Sequence, residues 1–398
     1  MALLIPRAVV EAVGAIGTLG SLVFYFLSAI GMARLLRDRH EKLTRAPLPE
    51  AQLPPVSILK PLRGVDPEMW ESFCSHCEQD YPQLQIIFGV SDPDDPAVEV
   101  VRRLQAKYPG REIKLIMCER VLGANVKVSN LVQMLPAASH QILLVNDSDI
   151  RVPADYLRKV VASLADDSVG LATCLYRGAA APTLGSRLEA LSINTDFVPG
   201  VLSASFLENG LHFGLGSTLA FRRRDLEVIG GFEVLLDYLA DDYELGRRIA
   251  ANGKRIELST AIVATYLPAY SMRQFLHHQL RWSRTIRDAR HWGYAGLIFT
   301  FGLPWALVTL LAAGGAEWTW ILLALIFVAR VAVAFLAADV VLQDRQPFGR
   351  GLFRNTFLLP LRDLLAPVVW MASYMGSRIH WRGDVFKLKN GRLSKIIG

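Results

Sequence analysis

From Ala12 to Ala33 the chain carries no charged residue. As a helix, that run of 22 residues spans about 33 Å, enough to cross a bilayer core of about 30 Å. Glu11 precedes it, and Arg34, Arg37, Arg39 and Lys42 follow where a secretory signal would show a small-residue cleavage site. The run therefore reads as a retained anchor, and its basic flank places the following residues in the cytoplasm. Trp292 to Ala316 is a second uncharged run, of 25 residues, and a strong transmembrane candidate. Trp318 to Ala338 is a third candidate, but it contains Arg330, which must face protein or water in a membrane. A last segment, 353–376, is interrupted by Arg362-Asp363 and two prolines, and is expected to be broken, re-entrant or interfacial.

These runs divide the chain into a membrane anchor with basic flank (1–45), a cytoplasmic domain (46–290), and C-terminal membrane segments with a basic tail (291–398). They account for a hydrophobic fraction of 52% and a mean hydropathy of +0.29. Much of the +6 formal charge lies beside them, so it points to the lipid bilayer and its anionic headgroups, with no nucleic acid partner expected. Cys74, Cys77, Cys118 and Cys174 fall in the cytoplasmic part and should be reduced. Cys74-Ser75-His76-Cys77 has zinc-like spacing, yet no second C-x-x-C accompanies it, so a zinc site is not expected.

In the middle of the chain, a Pro-rich linker (46–55) precedes alternating strand and helix patterns. Strands are expected at Val56–Leu59 (ended by Lys60-Pro61), Leu84–Val90, Ile113–Met117 and Ile142–Val145. Helices are expected at Ala97–Tyr108 and Asn125–Leu135. The alternation predicts an α/β domain with a mostly parallel sheet, which binds ligands beyond the carboxyl ends of its strands.

Three acidic groups stand out. Ile142–Val145 runs into Asn146-Asp147-Ser148-Asp149. If the backbone stays extended there, Asp147 and Asp149 project to the same side. A divalent ion bridging to a diphosphate would satisfy both, whereas a solvated turn is the plain alternative. Asp92 follows the second strand and either joins the same crevice or closes a turn in Asp92-Pro93-Asp94-Asp95-Pro96. Asp241-Asp242-Tyr243 sits at an expected helix start, flanked by Leu245, Ile249 and Ile256; a helix N-terminus favours acids in any case.

The stretch Thr195–Phe221 is apolar and rich in Gly and Ser. It reads equally as an interfacial segment and as buried core, and its Gly214-Leu215-Gly216-Ser217-Thr218 lacks the ending of a phosphate loop. Further on, Arg281, Arg284, Arg287 and Arg290 recur at steps of three, a helical stripe suited to lipid phosphates or, at its first member, a diphosphate.

Taken in order, these segments resemble the ceramide glucosyltransferase family, glycosyltransferase family 21, with a GT-A nucleotide-sugar fold. The resemblance is carried by Leu59-Lys60-Pro61-Leu62-Arg63-Gly64-Val65-Asp66-Pro67, Asp92-Pro93-Asp94-Asp95-Pro96, Asp147, Asp241-Asp242-Tyr243, Arg281-Trp282 and Trp381-Arg382. Across His277 to Gly296 it is most similar to the bacterial branch associated with hopanoid biosynthesis. By resemblance, Asp92 holds the nucleotide, while Asp147 and Asp149 serve the ribose and a metal-bound diphosphate. Asp242 acts as base, and Arg281 and Trp282 complete the donor and acceptor side. Asp241 and His278 remain open. His278 stands where the family motif has Gln or Arg, and Asp149 stands where animal-type relatives have Gly. Gln279 is not an obvious substitute for the missing Gln, because one helical step turns a side chain by about 100°.

The resemblance implies an inverting, metal-dependent enzyme using Mg2+ or Mn2+. It would move glucose or N-acetylglucosamine from a UDP-sugar donor to a hydroxyl of a membrane lipid acceptor, a hopanoid (bacteriohopanetetrol) or ceramide, at the bacterial inner membrane. A processive polysaccharide synthase shares the acid series but needs a polymer passage, for which four or fewer membrane segments are too few. A non-catalytic membrane scaffold would have no use for intact Asp92, Asp149 and Asp242.

Overall fold

The structure is a computed structural model that describes residues 6–44, 49–344, 356–381 and 384–396. Arg382, the linker residues 46–48 and the first residues of the 353–376 segment lie outside the described residues. The chain divides into two compact units, a helical unit (1–38, 182–207, 269–377) and a sheet unit (39–181, 208–268, 378–398).

The sheet unit is built on β1 (Val56–Leu62), β2 (Leu84–Val90), β3 (Glu112–Met117), β4 (Ile142–Val145), β5 (Ile150–Arg151), β6 (Val169–Ala179), β7 (Leu219–Arg222) and β8 (Arg255–Tyr266). Their order is β3-β2-β1-β4-β7-β6-β8-β5. The pairs β3/β2, β2/β1, β1/β4 and β6/β8 are parallel, and β4/β7, β7/β6 and β8/β5 are antiparallel. The sheet is thus α/β with a parallel half, as the alternating pattern predicts. Every residue of β1, β2 and β4 is buried, which explains their continuous apolar runs. Polar residues inside are paired: Ser57 Oγ donates to Gln85 Oε1 at 2.7 Å.

β1 does not end at Lys60-Pro61 as the sequence suggests. Leu59 O accepts from Asn146 N on the β4 side, so Pro61, two residues on, faces that same side after β4 has stopped. Its missing N–H leaves no partner unfilled. Ile256 also differs from expectation. It lies on β8 (Arg255–Tyr266), beyond the helix Asp241–Ala251 that carries Leu245 and Ile249.

A second, antiparallel sheet joins β9 (Arg378–Trp381), β10 (Asp384–Lys389) and β11 (Arg392–Lys395). Its Ile379, Phe386, Leu388 and Leu393 bury Leu239, and Leu239 N donates to Gly391 O at 3.1 Å. The C-terminal tail therefore belongs to the sheet unit and holds the segment just before Asp241.

Three helices, Arg7–Thr44 (helical unit up to residue 38), Glu317–Val341 and Thr356–Tyr374, are long and apolar enough to cross a membrane. The first, 38 residues long, measures about 57 Å and so outruns a bilayer core. An added Cβ at its Gly14, Gly17 or Gly20 would strike Thr309, Trp305 or Phe299, so small residues allow these helices their close approach. The uncharged run Trp292–Ala316 is the broken one: helices His291–Thr300 and Gly302–Ala312 bend by 54°. Pro304 lacks the N–H that would bond back to Thr300, which is why the first helix cannot continue.

The segment holding Arg362-Asp363 is instead one helix from Leu359 to Tyr374, despite its internal Pro367. Its charges are paired. Arg330 is buried and bonds Asp363 at 2.9 Å, Asp196 at 2.7 Å and the Thr195 carbonyl at 3.0 Å, and Arg362 meets Asp196 at 2.9 Å. A lone mid-membrane Arg costs roughly 2.5–3.5 kcal/mol on insertion, and this network offsets that cost. The apolar stretch Thr195–Phe221 divides between the units: helix Val198–Leu207 joins the membrane helices, and β7 enters the sheet.

Candidate active site

β1 stands between β2 and β4, and the connection direction reverses there, so the carboxyl ends of β1 and β4 frame the crevice of such a sheet. The chain leaves β4 through Asn146, whose buried Nδ2 donates to Ser217 O at 2.7 Å and Tyr156 Oη at 3.0 Å. It then turns at once, and Ile150 N reaches back to Asp147 O at 3.4 Å. The extended alternation considered for Asp147 and Asp149 is therefore absent, and the turn sends the two acids to different partners. Asp149 accepts from the Thr265 hydroxyl of β8. Burial first, and Asp147 second, push its carboxyl up to about 6. Ser148 donates to Asp66.

Two residues of the Leu59–Pro67 motif thus brace the turn, because Lys60 also donates to the Asp147 carbonyl at 3.0 Å. Lys60 is fully buried, and that burial pushes its ammonium down to about 7 against the pull of Asp149 and Asp147. The motif is tied to the Asp92 loop as well. Gly64, at φ +71°, donates its N–H to Asp95 Oδ2 at 2.7 Å. Asp92 itself is exposed and accepts from Asp94 N at 2.9 Å. It is a turn aspartate beyond β2, two strands from β4 on the same edge.

Asp241 and Asp242 open the helix Asp241–Ala251. Its Gly246 packs so tightly on the 213–214 backbone that an added Cβ would lie 2.1 Å from Gly214 N. This contact carries the glycine segment beneath the acids. A Cβ on Gly216 would stand 3.1 Å from an Asp242 carboxylate oxygen and 3.2 Å from one of Asp147. Two acids far apart in sequence therefore crowd one point, over a residue with no side chain to fill it. Burial, and then Asp241, raise the Asp242 carboxyl above its usual range.

Lys127 completes the cluster, and sequence reasoning missed it. Its ammonium meets Asp147 at 2.8 Å and Asp241 at 3.0 Å. Burial alone would lower its pKa; Asp147, Asp241 and Asp242 instead raise it. Asn125 caps the helix Val126–Met134, which carries Lys127, by accepting from Val128 N at 3.2 Å, and its amide donates to Tyr238 O at 2.7 Å. Oxygen ligands of this kind suit a hard divalent ion, and a cation already sits among them. Among the described residues no three His, Cys, Asp or Glu form a ready cage, so an ion here would draw further ligands from a nucleotide diphosphate, as Mg2+ commonly does.

The helical unit carries the other predicted residues on the helix Met272–Ala289, started by a Ser271/Gln274 capping box. His278 Nδ1 donates to Glu189 Oε1 at 3.0 Å, and Gln279 Nε2 donates to Glu189 Oε2 at 2.8 Å. Glu189 is fully buried, so the two neighbouring side chains share one hidden carboxylate. Tyr270 and Trp282 lie against the His278 ring, each at 5.4 Å. Arg281 and Trp282 are half-buried on this helix. The basic stripe divides in use: Arg287 bonds the Ser373 and Gly376 carbonyls at the end of the helix Leu359–Tyr374, where a cation is favoured.

An α/β sheet with acids beyond its parallel carboxyl edge, in a chain that also carries candidate membrane helices, is shared with GT-A-like glycosyltransferases, as comparison with known proteins shows. Among solved structures, the fold is similar to the mannosyltransferase PcManGT from Pyrobaculum calidifontis in complex with GDP-Man and Mn2+. The two share 20% identity at a TM-score of 0.53, over 91% of this chain and 99% of that one. Among curated proteins, the chain is 24% identical over 385 residues to ceramide glucosyltransferase 3 of Caenorhabditis elegans, covering 92% of this chain and 79% of the relative. It is 35% identical over 121 residues to the ceramide glucosyltransferase of Candida albicans, covering 27% of this chain and 22% of the relative. The model of glycosyl transferase family 21 matches residues 21–394, and the chain belongs to that family.

Proposed function

We propose that this glycosyltransferase is inverting and moves glucose or N-acetylglucosamine from a UDP-sugar to a hydroxyl of a membrane lipid, a hopanoid or ceramide, at the cytoplasmic face of a bacterial inner membrane. The observation that carries the proposal is the approach of Asp147 and Asp242 over Gly216. Ceramide glucosyltransferase relatives along nearly the whole chain support a lipid acceptor. Asp242 accepts the hydroxyl proton as the acceptor oxygen bonds to the anomeric carbon. The bond to the diphosphate breaks on the opposite face, and its electron pair leaves with UDP. Asp147 and Asp149 would hold a Mg2+ or Mn2+, which would supply positive charge for the departing diphosphate. Arg281 adds a guanidinium suited to phosphate oxygens, and Asp92 serves the nucleotide. Purified protein with Mn2+ should be stabilised against heat by UDP more than by GDP; the reverse order would reassign the donor.

His278 occupies a place where the family motif has Gln or Arg, and its structural task is to donate to Glu189. Gln can donate in the same way. His278→Gln is therefore expected to keep much of the activity, while Arg281→Ala loses most of it. Equal losses in a transfer assay would give His278 a chemical role of its own.

The tail packs within the sheet unit, so tail and catalytic sheet share one side of the membrane. The chain between Pro268 and Arg378 must then cross an even number of times. Glu317–Val341 and Thr356–Tyr374 cross, joined through Arg330 and Asp363, and the bent pair 291–312 is re-entrant. In this reading the bent pair, and not the Arg362-Asp363 segment that the sequence made re-entrant or interfacial, is the part that turns back, while the tail stays cytoplasmic as expected. A reporter fused after Gly398 should be active only in its cytoplasmic form; activity only in the periplasm would overturn the topology.

A further inference from the structure

In the first turn of the helix Val126–Met134, Lys127 occupies a position that the helix dipole makes unfavourable for a cation. The helix is nevertheless aimed so that this ammonium lies between Asp147 and Asp241, at 2.8 and 3.0 Å, in a side chain only 18% exposed. The surroundings are built to keep it there. Asn125 fixes the start of the helix, and its side chain reaches both Tyr238 O and Asp241 Oδ1. Asn125 N donates to Leu236 O at 2.8 Å, and Ala124 N to Asp237 Oδ1 at 3.0 Å. Asp147, Asp241 and Asp242 would otherwise crowd as unbalanced carboxylates in a half-buried cleft, which is costly.

We propose that Lys127 is a tethered counter-ion that neutralises Asp147 when no divalent metal is bound and gives up that carboxylate to the metal–nucleotide, swinging toward Asp241 and the diphosphate. The proposal rests on the metal-dependent reading above. Lys127 is a positioning residue in this scheme. It keeps the empty cleft folded, sets a threshold against metal binding without a nucleotide, and on release leaves an ammonium beside the site for the diphosphate oxygens. Binding of the metal is thereby coupled to arrival of the donor, because the diphosphate supplies a new partner for the displaced lysine.

The test uses the full chain in detergent, with Mn2+ affinity read from the electron paramagnetic resonance signal of the free ion. Wild type should bind Mn2+ weakly alone and more tightly with UDP. Lys127→Met should bind Mn2+ without UDP at least roughly tenfold more tightly than wild type, since the positive charge in contact with Asp147, one of the two proposed ligands, is gone. It should also gain less from UDP. Lys127→Arg keeps the charge and should remain close to wild type. Thermal unfolding gives a second readout: Lys127→Met should melt lower than wild type in EDTA and be raised more by Mn2+. Equal or weaker Mn2+ binding by a folded Lys127→Met overturns the counter-ion role, as does a variant that stays unfolded even in Mn2+. A wild type that binds no Mn2+ even with UDP overturns the underlying metal reading instead, and so separates the two failures.

Discussion

Asp242→Asn should bind UDP-sugar with near-normal affinity and transfer sugar at least about a hundredfold more slowly. A general base contributes roughly 10²–10⁴-fold, and the amide keeps the size and the hydrogen bond to Tyr243 N while removing basicity. Asp241→Asn should be milder in transfer rate. The structure supports this ranking through their partners: Asp241 is buried and engaged by Lys127 and Asn125, whereas Asp242 is half-buried and faces the gap over Gly216. The base works as a carboxylate, and its pKa is raised first by burial and then by Asp241. Wild-type kcat/KM should therefore fall as pH drops through that raised value, and the limb should vanish in Asp242→Asn. The opposite ranking of the two variants in a steady-state assay would move the base to Asp241. Lost donor binding in Asp242→Asn would make that acid a donor ligand.

Asp149→Asn should lower both activity and its dependence on Mg2+ or Mn2+ without unfolding the chain. Asn still accepts the Thr265 hydroxyl bond, so the turn after β4 keeps its brace. What is lost is a negative charge that burial and Asp147 already disfavour, and which a bound cation would favour. Titrating metal into the variant and following transfer checks this. Full activity in Asp149→Asn, or undiminished wild-type turnover in EDTA, would remove Asp149 from metal chemistry.

The parts of the site legible in the sequence were those where local pattern and function agree. Apolar runs ending in Asp92 and Asp147 gave strand ends, and burial on both faces gave those strands their unbroken character. The pairing of Arg330 followed from the cost of a charge in a membrane, although its partners Asp363 and Asp196 lie on other helices and left no local trace. The roles of Lys127, Lys60 and Glu189 were missed because each residue is explained only by partners distant in sequence. Each nonetheless breaks a local rule: a cation in a helix's first turn, a lysine in a buried strand, a glutamate on a buried helical face. Such conflicts are the signal that could have found them. The glycines at 214 and 216 looked like an incomplete phosphate loop, yet their use, with Gly246, is close backbone packing that brings Asp242 up to Asp147. The turn at Asp147–Ile150 escaped the alternation argument because β4 stops two residues before the first acid.

The central claim, transfer of one sugar from UDP-sugar to a lipid hydroxyl, is tested most directly by the mass of the product. Purified full-length protein would be incubated with UDP-glucose or UDP-N-acetylglucosamine and with ceramide or bacteriohopanetetrol in Mg2+ or Mn2+. The predicted result is one lipid heavier by a single sugar residue, formed with release of UDP and absent with Asp242→Asn. A ladder of sugar additions would mark a processive synthase. UDP-sugar binding with no lipid product from either acceptor would contradict the assignment.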